Sequence, residues 1–303
     1  MYTDRTLMDR TPSGDGEGNR VAVLGSPAGH SLSPTLHRAA YAAMRLGWDC
    51  EAVECDASAL PALFDALGDG WAGLCLTTPL KRAVLPLVDE VSDLALDVGG
   101  ADTVVLRHGR SFGDHCGVHG IVAALRQAGL DAPGSAVVLG GGAATCAALA
   151  ALREVGVREP VVVVRERGGA REAEAAAGRL GVSVDLRRFE ELDRLLRGVG
   201  VVVSTLPAGA ADALAPRVAR SGAAVLDAAC SAWPTRLAKA AGFVGGIVID
   251  GVSPLLYRAQ RQIELLTGRT GVPVTAMRAA AQAELVRRAG LEAVPAVSGG
   301  QSM

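Results

Sequence analysis

The chain has 303 residues, a formal net charge of −2 and 50% hydrophobic residues, of which aromatics are only 3% of the chain. A charge this close to neutral gives no electrostatic case for a nucleic-acid or anionic-membrane partner, and no apolar run approaches the ~20 residues of a membrane-spanning helix. The length suits about two domains, each with its own core.

In chain order, residues 1–19 are polar and charged, without the apolar stretch of a secretory signal, and read as a disordered tail. "RVAVLGS" from Arg20 is a strand running into a turn, and Pro34 to Leu46 reads as a helix. "CEAVECDA" is a strand, "ALPALFDAL" a helix and "GLCLTT" a third strand. "PLKRAVLPLVDEV" and "DLALDVG" read as helical, and "GADTVVLRHG" as a strand or hairpin. Alternating strands and helices imply βαβ units and a mostly parallel sheet. After the helix "GIVAALRQAGL" the pattern restarts. "AVVLG", "VVVVR", "SVDLRR", "VVVST", "AAVLDA" and "GIVID" supply six strands with helices between them, and further helices follow Pro254. Six cysteines (50, 55, 75, 116, 146 and 230) are scattered with no CxxC pair, which points to reduced thiols in a cytoplasm and to neither disulfides nor a zinc site.

Three stretches carry chemistry. In "GSPAGHSLSPTLHRAAY", Ser31 and Ser33 stand in front of a helix that Pro34 is suited to open. They read either as capping residues or as a pocket for a carboxylate or hydroxyl. His30 and His37 read as turn and helix-capping residues. "VVLGGGAATCAALAAL" puts Gly140 and Gly142 between an apolar strand and a small-residue helix. That arrangement lets a pyrophosphate approach the backbone at the helix N-terminus, with Ala143 and Ala144 keeping the turn slim. The next strand ends in "VVVVRERGG", where Arg165 and Arg167 flank Glu166. An acid there suits the ribose of NAD and an arginine the 2′-phosphate of NADP, so two arginines favour NADP, with NAD less favoured and a solvated charged loop as the bland reading.

Taken together, these stretches make the chain resemble the shikimate dehydrogenases, in particular an actinobacterial-looking branch, from about Val21 to Arg288. "GSPAGHSLSPTLHRAAY" is similar to the family's GxPxxHSxSPxxHNxxF, "GLCLTTPLK" to GxNVTxPxK, and "DGVSPLLYRAQRQIELLTG" to DGxxMLxxQAxxxFxxxTG. "GGADTVV", "GDHCGVHG" and "VLGGGAAT" stand where the family has GAVNTV, GxNTDxxG and a GAGGAA loop. The resemblance implies an α/β protein with an N-terminal α/β substrate domain (20–118 and 254–288) and a Rossmann-type doubly wound NADP-binding domain (119–253), followed by a flexible tail (289–303). It gives Ser31 and Ser33 the substrate carboxylate, Thr77 a place beside the substrate, and Lys81 the catalytic proton. The cofactor side would take Gly140, Gly142, Ala143, Ala144, Arg165, Arg167 and Thr205.

Several positions depart from the pattern. Gly117 stands where the family has the aspartate that partners the lysine, with His115 and Cys116 beside it. Cys75 and Asp102 replace asparagines, Arg258 a glutamine, and Cys230 a tyrosine. Most positions that would bond shikimate's ring hydroxyls have thus changed chemical type, which argues against efficient use of shikimate. Asp102 is expected to supply the charge that Gly117 cannot, in a relocated Lys81–Asp102 pair, the alternative being two surface charges. His115 and His119, at i and i+4, lack a third metal ligand, and His115 would serve at most as a proton relay. Cys75, Cys116 and Cys230 are expected to fill space around the substrate. The expected activity is NADP-dependent interconversion of a carbonyl and an alcohol on a small cyclic carboxylate, in the cytoplasm and without a metal. A non-catalytic or regulatory binding protein on the same fold is the alternative. A homodimer is left open as a partner.

Overall fold

A computed structural model of the chain describes residues 19–230 and 233–290. The expected tails lie outside these residues except at their inner ends. There Asn19 donates to the Gly47 carbonyl at 2.9 Å, and Ala289 closes the last helix.

The first half contains β1 (Arg20–Gly25), α1 (Ser33–Ala43), β2 (Asp49–Glu54), α2 (Leu60–Asp65), β3 (Trp71–Leu76), α3 (Leu80–Ala83), β4 (Glu90–Val91), α4 (Asp93–Val98), β5 (Thr103–Arg107) and β6 (Arg110–Asp114). The strands form one sheet in the order β2-β1-β3-β5-β6-β4. This sheet is parallel-rich but mixed, with β4 also parallel to β6. β1 is parallel to β2 and β3, but β5 is antiparallel to β3 and β6. His108 and Gly109, at φ 52° and 70°, make the tight turn that joins β5 to β6 as a hairpin. The stretch 79–91, expected to be helical, contains only the four residues of α3 before ending in the edge strand β4. Pro86 accounts for this, since it lacks a helical N–H and disfavours helical geometry at Leu85. α1 stops short of Leu46 because Arg45 adopts a left-handed conformation at φ 55°.

The second half runs α5 (Cys116–Gln127), β7 (Ala136–Leu139), α6 (Ala143–Glu154), β8 (Val161–Val164), α7 (Arg171–Leu180), β9 (Asp185–Arg188), α8 (Leu192–Leu195), β10 (Val201–Ser204), α9 (Ala215–Ser221), β11 (Ala224–Asp227), α10 (Arg236–Phe243) and β12 (Val248–Ile249). All six predicted strands form, in the parallel order β12-β11-β10-β7-β8-β9. This is the doubly wound Rossmann order. Its direction reverses between β7 and β10, where such sheets bind ligands at the carboxyl ends of the strands.

Two long helices close the chain, α11 (Val252–Thr267) and α12 (Val274–Arg288). Leu256, Ile263 and Leu266 of α11 and Met277 of α12 share a core with Val21, Leu36 and Tyr41 of the first half. α11 also lies along α5. At Gly120 the approach is so close that a Cβ would fall 2.2 Å from the Pro254 carbonyl oxygen. From these contacts we assign α11 and α12 to the first lobe, with α5, which spans the expected 118/119 boundary, linking the two. Among the described residues no helix is long and apolar enough to cross a membrane.

Candidate active site

Asp102 is the most constrained side chain of the cleft. Gly100 packs against the Lys81 backbone, and the Ala101 N–H bonds the Lys81 carbonyl at 2.8 Å. Asp102 then bridges β3 and β6 through its own backbone, accepting from Leu76 N–H and donating to the Asp114 carbonyl, both at 2.9 Å. Its carboxylate is fully buried. Oδ1 accepts from the Thr103 hydroxyl at 2.9 Å and from Cys116 N–H at 2.8 Å, and Oδ2 accepts from Gly117 N–H at 2.9 Å. Lys81 Nζ lies 3.6 Å and His115 Nδ1 3.7 Å from Oδ2. Burial opposes ionisation of Asp102, but His115, the Lys81 and Arg258 cations and the Thr103 hydroxyl together hold its pKa below the usual carboxylate range. The geometry therefore joins Lys81 to Asp102 as an ion pair, and neither is a free surface charge.

Burial lowers the Lys81 pKa, against the opposing pull of Asp102. Burial also lowers His115 to about 4, so its imidazole is neutral near pH 7, and its Nδ1 has no hydrogen-bond partner. His119 faces solvent on α5 while His115 is buried, so the two do not face one space. Gly117 explains part of this arrangement. A Cβ there would stand 2.9 Å from both Asp102 Oδ2 and His115 Cε1, so side chains at 117 and 102 compete for one volume.

Ser31 and Ser33 stand at the start of α1. Ser33 N–H donates to Ser31 Oγ at 3.1 Å, and Arg258 Nη2 donates to the buried Ser33 Oγ at 3.0 Å. Thr77 donates its hydroxyl to the Leu24 carbonyl at 3.1 Å, which ties the ends of β1 and β3 together. His37 is not the capping residue expected. It is fully buried inside α1, with Nδ1 3.0 Å from the Tyr41 hydroxyl and Nε2 3.4 Å from Gln262 Oε1. Gln262, which the sequence reading passed over, donates to the Thr103 hydroxyl at 3.0 Å and to the Asp102 carbonyl at 3.3 Å. It follows Arg258 by one helical turn, and that i, i+4 spacing was the available cue. Cys75 Sγ lies 3.9 Å from His37 Nε2, Cys116 is buried, and the Cys230 thiol donates to the Gly251 carbonyl at 3.1 Å. Burial pushes the thiols up, to about 12 for Cys75 and about 11 for Cys230, and well above the ordinary value for Cys116. All three are protonated near neutrality, as suits small filling groups rather than nucleophiles.

At the Rossmann switch point, Gly140 holds φ 119°, and a Cβ there would meet Thr205 Oγ1 at 2.4 Å. Thr205 donates to the Leu139 carbonyl and pairs with the Thr145 hydroxyl, each at 2.9 Å, so it braces the turn. Gly142 caps α6 with no side-chain bond, and the position of its missing Cβ is open. The first N–H groups of α6, at Ala143 and Ala144, have no intrahelical acceptor. This uncapped helix start with open space before it fits a dinucleotide pyrophosphate. Beside it, Gly140, Gly141, Arg165, Glu166 and Leu206 line a cleft of about 360 Å³. Arg167 is exposed and begins the short turn 167–170 beyond that lining, so Arg165 alone of the expected pair reaches the cleft. A second crevice of about 100 Å³ is shared by Lys81 and His115 of the first lobe and Ala143 and Cys146 of the second.

Residues 23–104 match the family model for the shikimate dehydrogenase substrate binding domain. The chain is 34% identical over 277 residues to the shikimate dehydrogenase (NADP(+)) of Methanothrix thermoacetophila, covering 88% of this chain and 97% of that one. Among solved structures it resembles Mycobacterium tuberculosis shikimate dehydrogenase, with a TM-score of 0.81 and 37% identity over 88% of this chain and 99% of the other. The Thermus thermophilus enzyme in complex with NADP(H) and shikimate superposes with a TM-score of 0.76 and 31% identity, covering 87% of this chain and 98% of that one.

Proposed function

The chain belongs to the shikimate dehydrogenase family, and on that premise we propose that it is an NADP-dependent oxidoreductase interconverting a carbonyl and an alcohol on a small cyclic carboxylate other than shikimate. The observation that carries this reading is the crevice shared by Lys81, His115, Ala143 and Cys146. A side chain able to move a proton and the first turn of a dinucleotide-type helix face one space.

The backbone from Gly142 to Ala144 would hold the pyrophosphate, and Arg165 would face the 2′-phosphate. When bound, the nicotinamide supplies or accepts the hydride. Lys81 handles the proton. Its ammonium donates from Nζ to the carbonyl oxygen as the alcohol forms, and its neutral amine takes that proton back in reverse. Burial brings the lysine toward working pH, while Asp102 keeps the ammonium form accessible and aimed. Asp102 thus takes the part of the acid that Gly117 lacks.

Two measurements test this reading. In a nucleotide titration, Arg165→Glu should weaken NADPH binding by at least ~1 kcal/mol, the low end for a charged hydrogen bond, without weakening NADH. Equal affinity for both nucleotides, unmoved by the change, removes the 2′-phosphate role. In an absorbance assay with NADP+, shikimate should turn over at least ~10²-fold more slowly than in a relative that keeps the aspartate and neutral amides. An ordinary rate on shikimate overturns the altered-substrate reading, and absence of nucleotide binding overturns the oxidoreductase.

A further inference from the structure

The hydrogen atoms around Ser31, Ser33 and Arg258 all point one way chemically. Ser31 Oγ already accepts the Ser33 N–H, and Ser33 Oγ already accepts Arg258 Nη2. Among the described residues, neither hydroxyl hydrogen has a protein acceptor, and the buried Arg258 Nε has no partner at all. The acids in its neighbourhood are committed elsewhere. Asp102 faces Lys81, Asp227 accepts the Thr235 hydroxyl at 2.6 Å, and Asp250 accepts Ser253 N–H at 2.6 Å. No carboxylate among the described residues lies within ion-pair distance of Arg258.

An arginine cannot deprotonate and can only donate. Asp102 acts on Arg258 only from beyond contact distance, and a partly buried guanidinium with no carboxylate in ion-pair contact is costly, so its position is best explained by an anion that arrives with the ligand. Arg258 Nη2 and Ser33 Oγ are 3.0 Å apart, close enough for one carboxylate to span the hydroxyl and the guanidinium. We propose that Ser31, Ser33 and Arg258 form one donor-only clamp in which Arg258 ion-pairs the substrate carboxylate, making the anionic charge itself the selected feature. A glutamine at this position could contribute only a neutral bond. This inference deepens the reading of the Lys81 cleft as a substrate site and specifies the substrate as a monocarboxylate anion seated against Arg258.

The test is calorimetric titration of the full chain with cyclohex-1-ene-1-carboxylate and with its carboxamide, which match in shape and differ in charge. The wild-type protein should bind the acid at least ~10-fold more tightly than the amide. Arg258→Gln should weaken the acid ~10–100-fold and leave the amide unchanged, while Arg258→Lys should retain part of the preference through charge without the planar fork. An NADPH titration of each variant reports folding. If Arg258→Gln does not fold, the wild-type comparison of acid with amide and the Arg258→Lys variant still decide. Failure of the wild-type protein to bind the acid, absence of an acid-over-amide preference, or unchanged acid affinity in Arg258→Gln overturns the clamp. No turnover enters these titrations. A protein that keeps Arg258-dependent acid binding but shows no nucleotide-dependent reaction would refute the oxidoreductase and uphold the clamp.

Discussion

Lys81→Met is expected to lower turnover of the cognate acid by ~10²–10⁴-fold, the usual loss when an acid–base group is removed, while NADPH affinity stays nearly unchanged. Methionine keeps an unbranched stem to pack where the Lys81 stem meets Gly100, and removes only the ammonium. No second group is ready to replace it. His115 is held at about 4 by burial and is neutral near pH 7, and the cleft thiols are protonated. In the wild-type protein, kcat/KM for reduction should fall as pH rises through a pKa below the ordinary lysine value of 10.5, because burial lowers it. That limb should vanish in Lys81→Met. A residual rate that keeps the wild-type pH profile would show that the proton travels by another route, such as the His115 ring.

On the proposed mechanism, Gly117 and Asp102 are one change rather than two. An acid at 117 needs a Cβ where Asp102 Oδ2 and the His115 ring already stand at 2.9 Å. A buried carboxylate at 102 in turn receives the Gly117 N–H directly. One space near Lys81 admits one carboxylate, and in this chain it is reached from the start of β5 instead of from α5.

How much of this was legible in the sequence depended on what each residue does. The Rossmann half could be read because buried parallel strands appear as short valine runs such as "VVVV", separated by helices at regular spacing. The first sheet was harder. Pairing direction leaves no mark on periodicity, and the β5–β6 hairpin showed itself only in the His108–Gly109 turn. Lys81 and Asp102 could be placed from motif position, but their shared burial is a tertiary fact. His37 was misread because a histidine beside a helix start resembles a cap until its ring is seen bonding Tyr41 and Gln262 inside the core. Arg258 could be recognised as a departure, yet its bond to Ser33 spans 225 positions and has no local signature.

Asp102→Asn is expected to destabilise the protein by ~2–4 kcal/mol near pH 7, measured by urea unfolding. The wild-type carboxylate accepts three donors, from Thr103, Cys116 and Gly117. An asparagine must turn its NH₂ toward at least one of them, leaving that pair unsatisfied. The change also leaves Lys81 without its counter-charge. Breaking a buried pair costs ~3–5 kcal/mol, and the range is set lower here because Lys81 is 22% exposed. The pH dependence separates charge from shape. Asp102 has a folded-state pKa depressed below the ordinary carboxylate value of 3.8, so its contribution is complete above that value and is lost as pH falls below it. The gap between the two proteins should therefore be full at pH 6–7 and narrow below about 3.8. Both proteins share the separate acid loss from His37, whose pKa falls from 6.5 to about 4 through burial. Turnover should fall as well, although asparagine is the residue the family carries at this position, because in this chain the amide returns without the acid at 117. Equal stability at pH 7, a gap that persists unchanged into acid, or undiminished turnover would each show that the carboxylate at 102 is not the partner of Lys81.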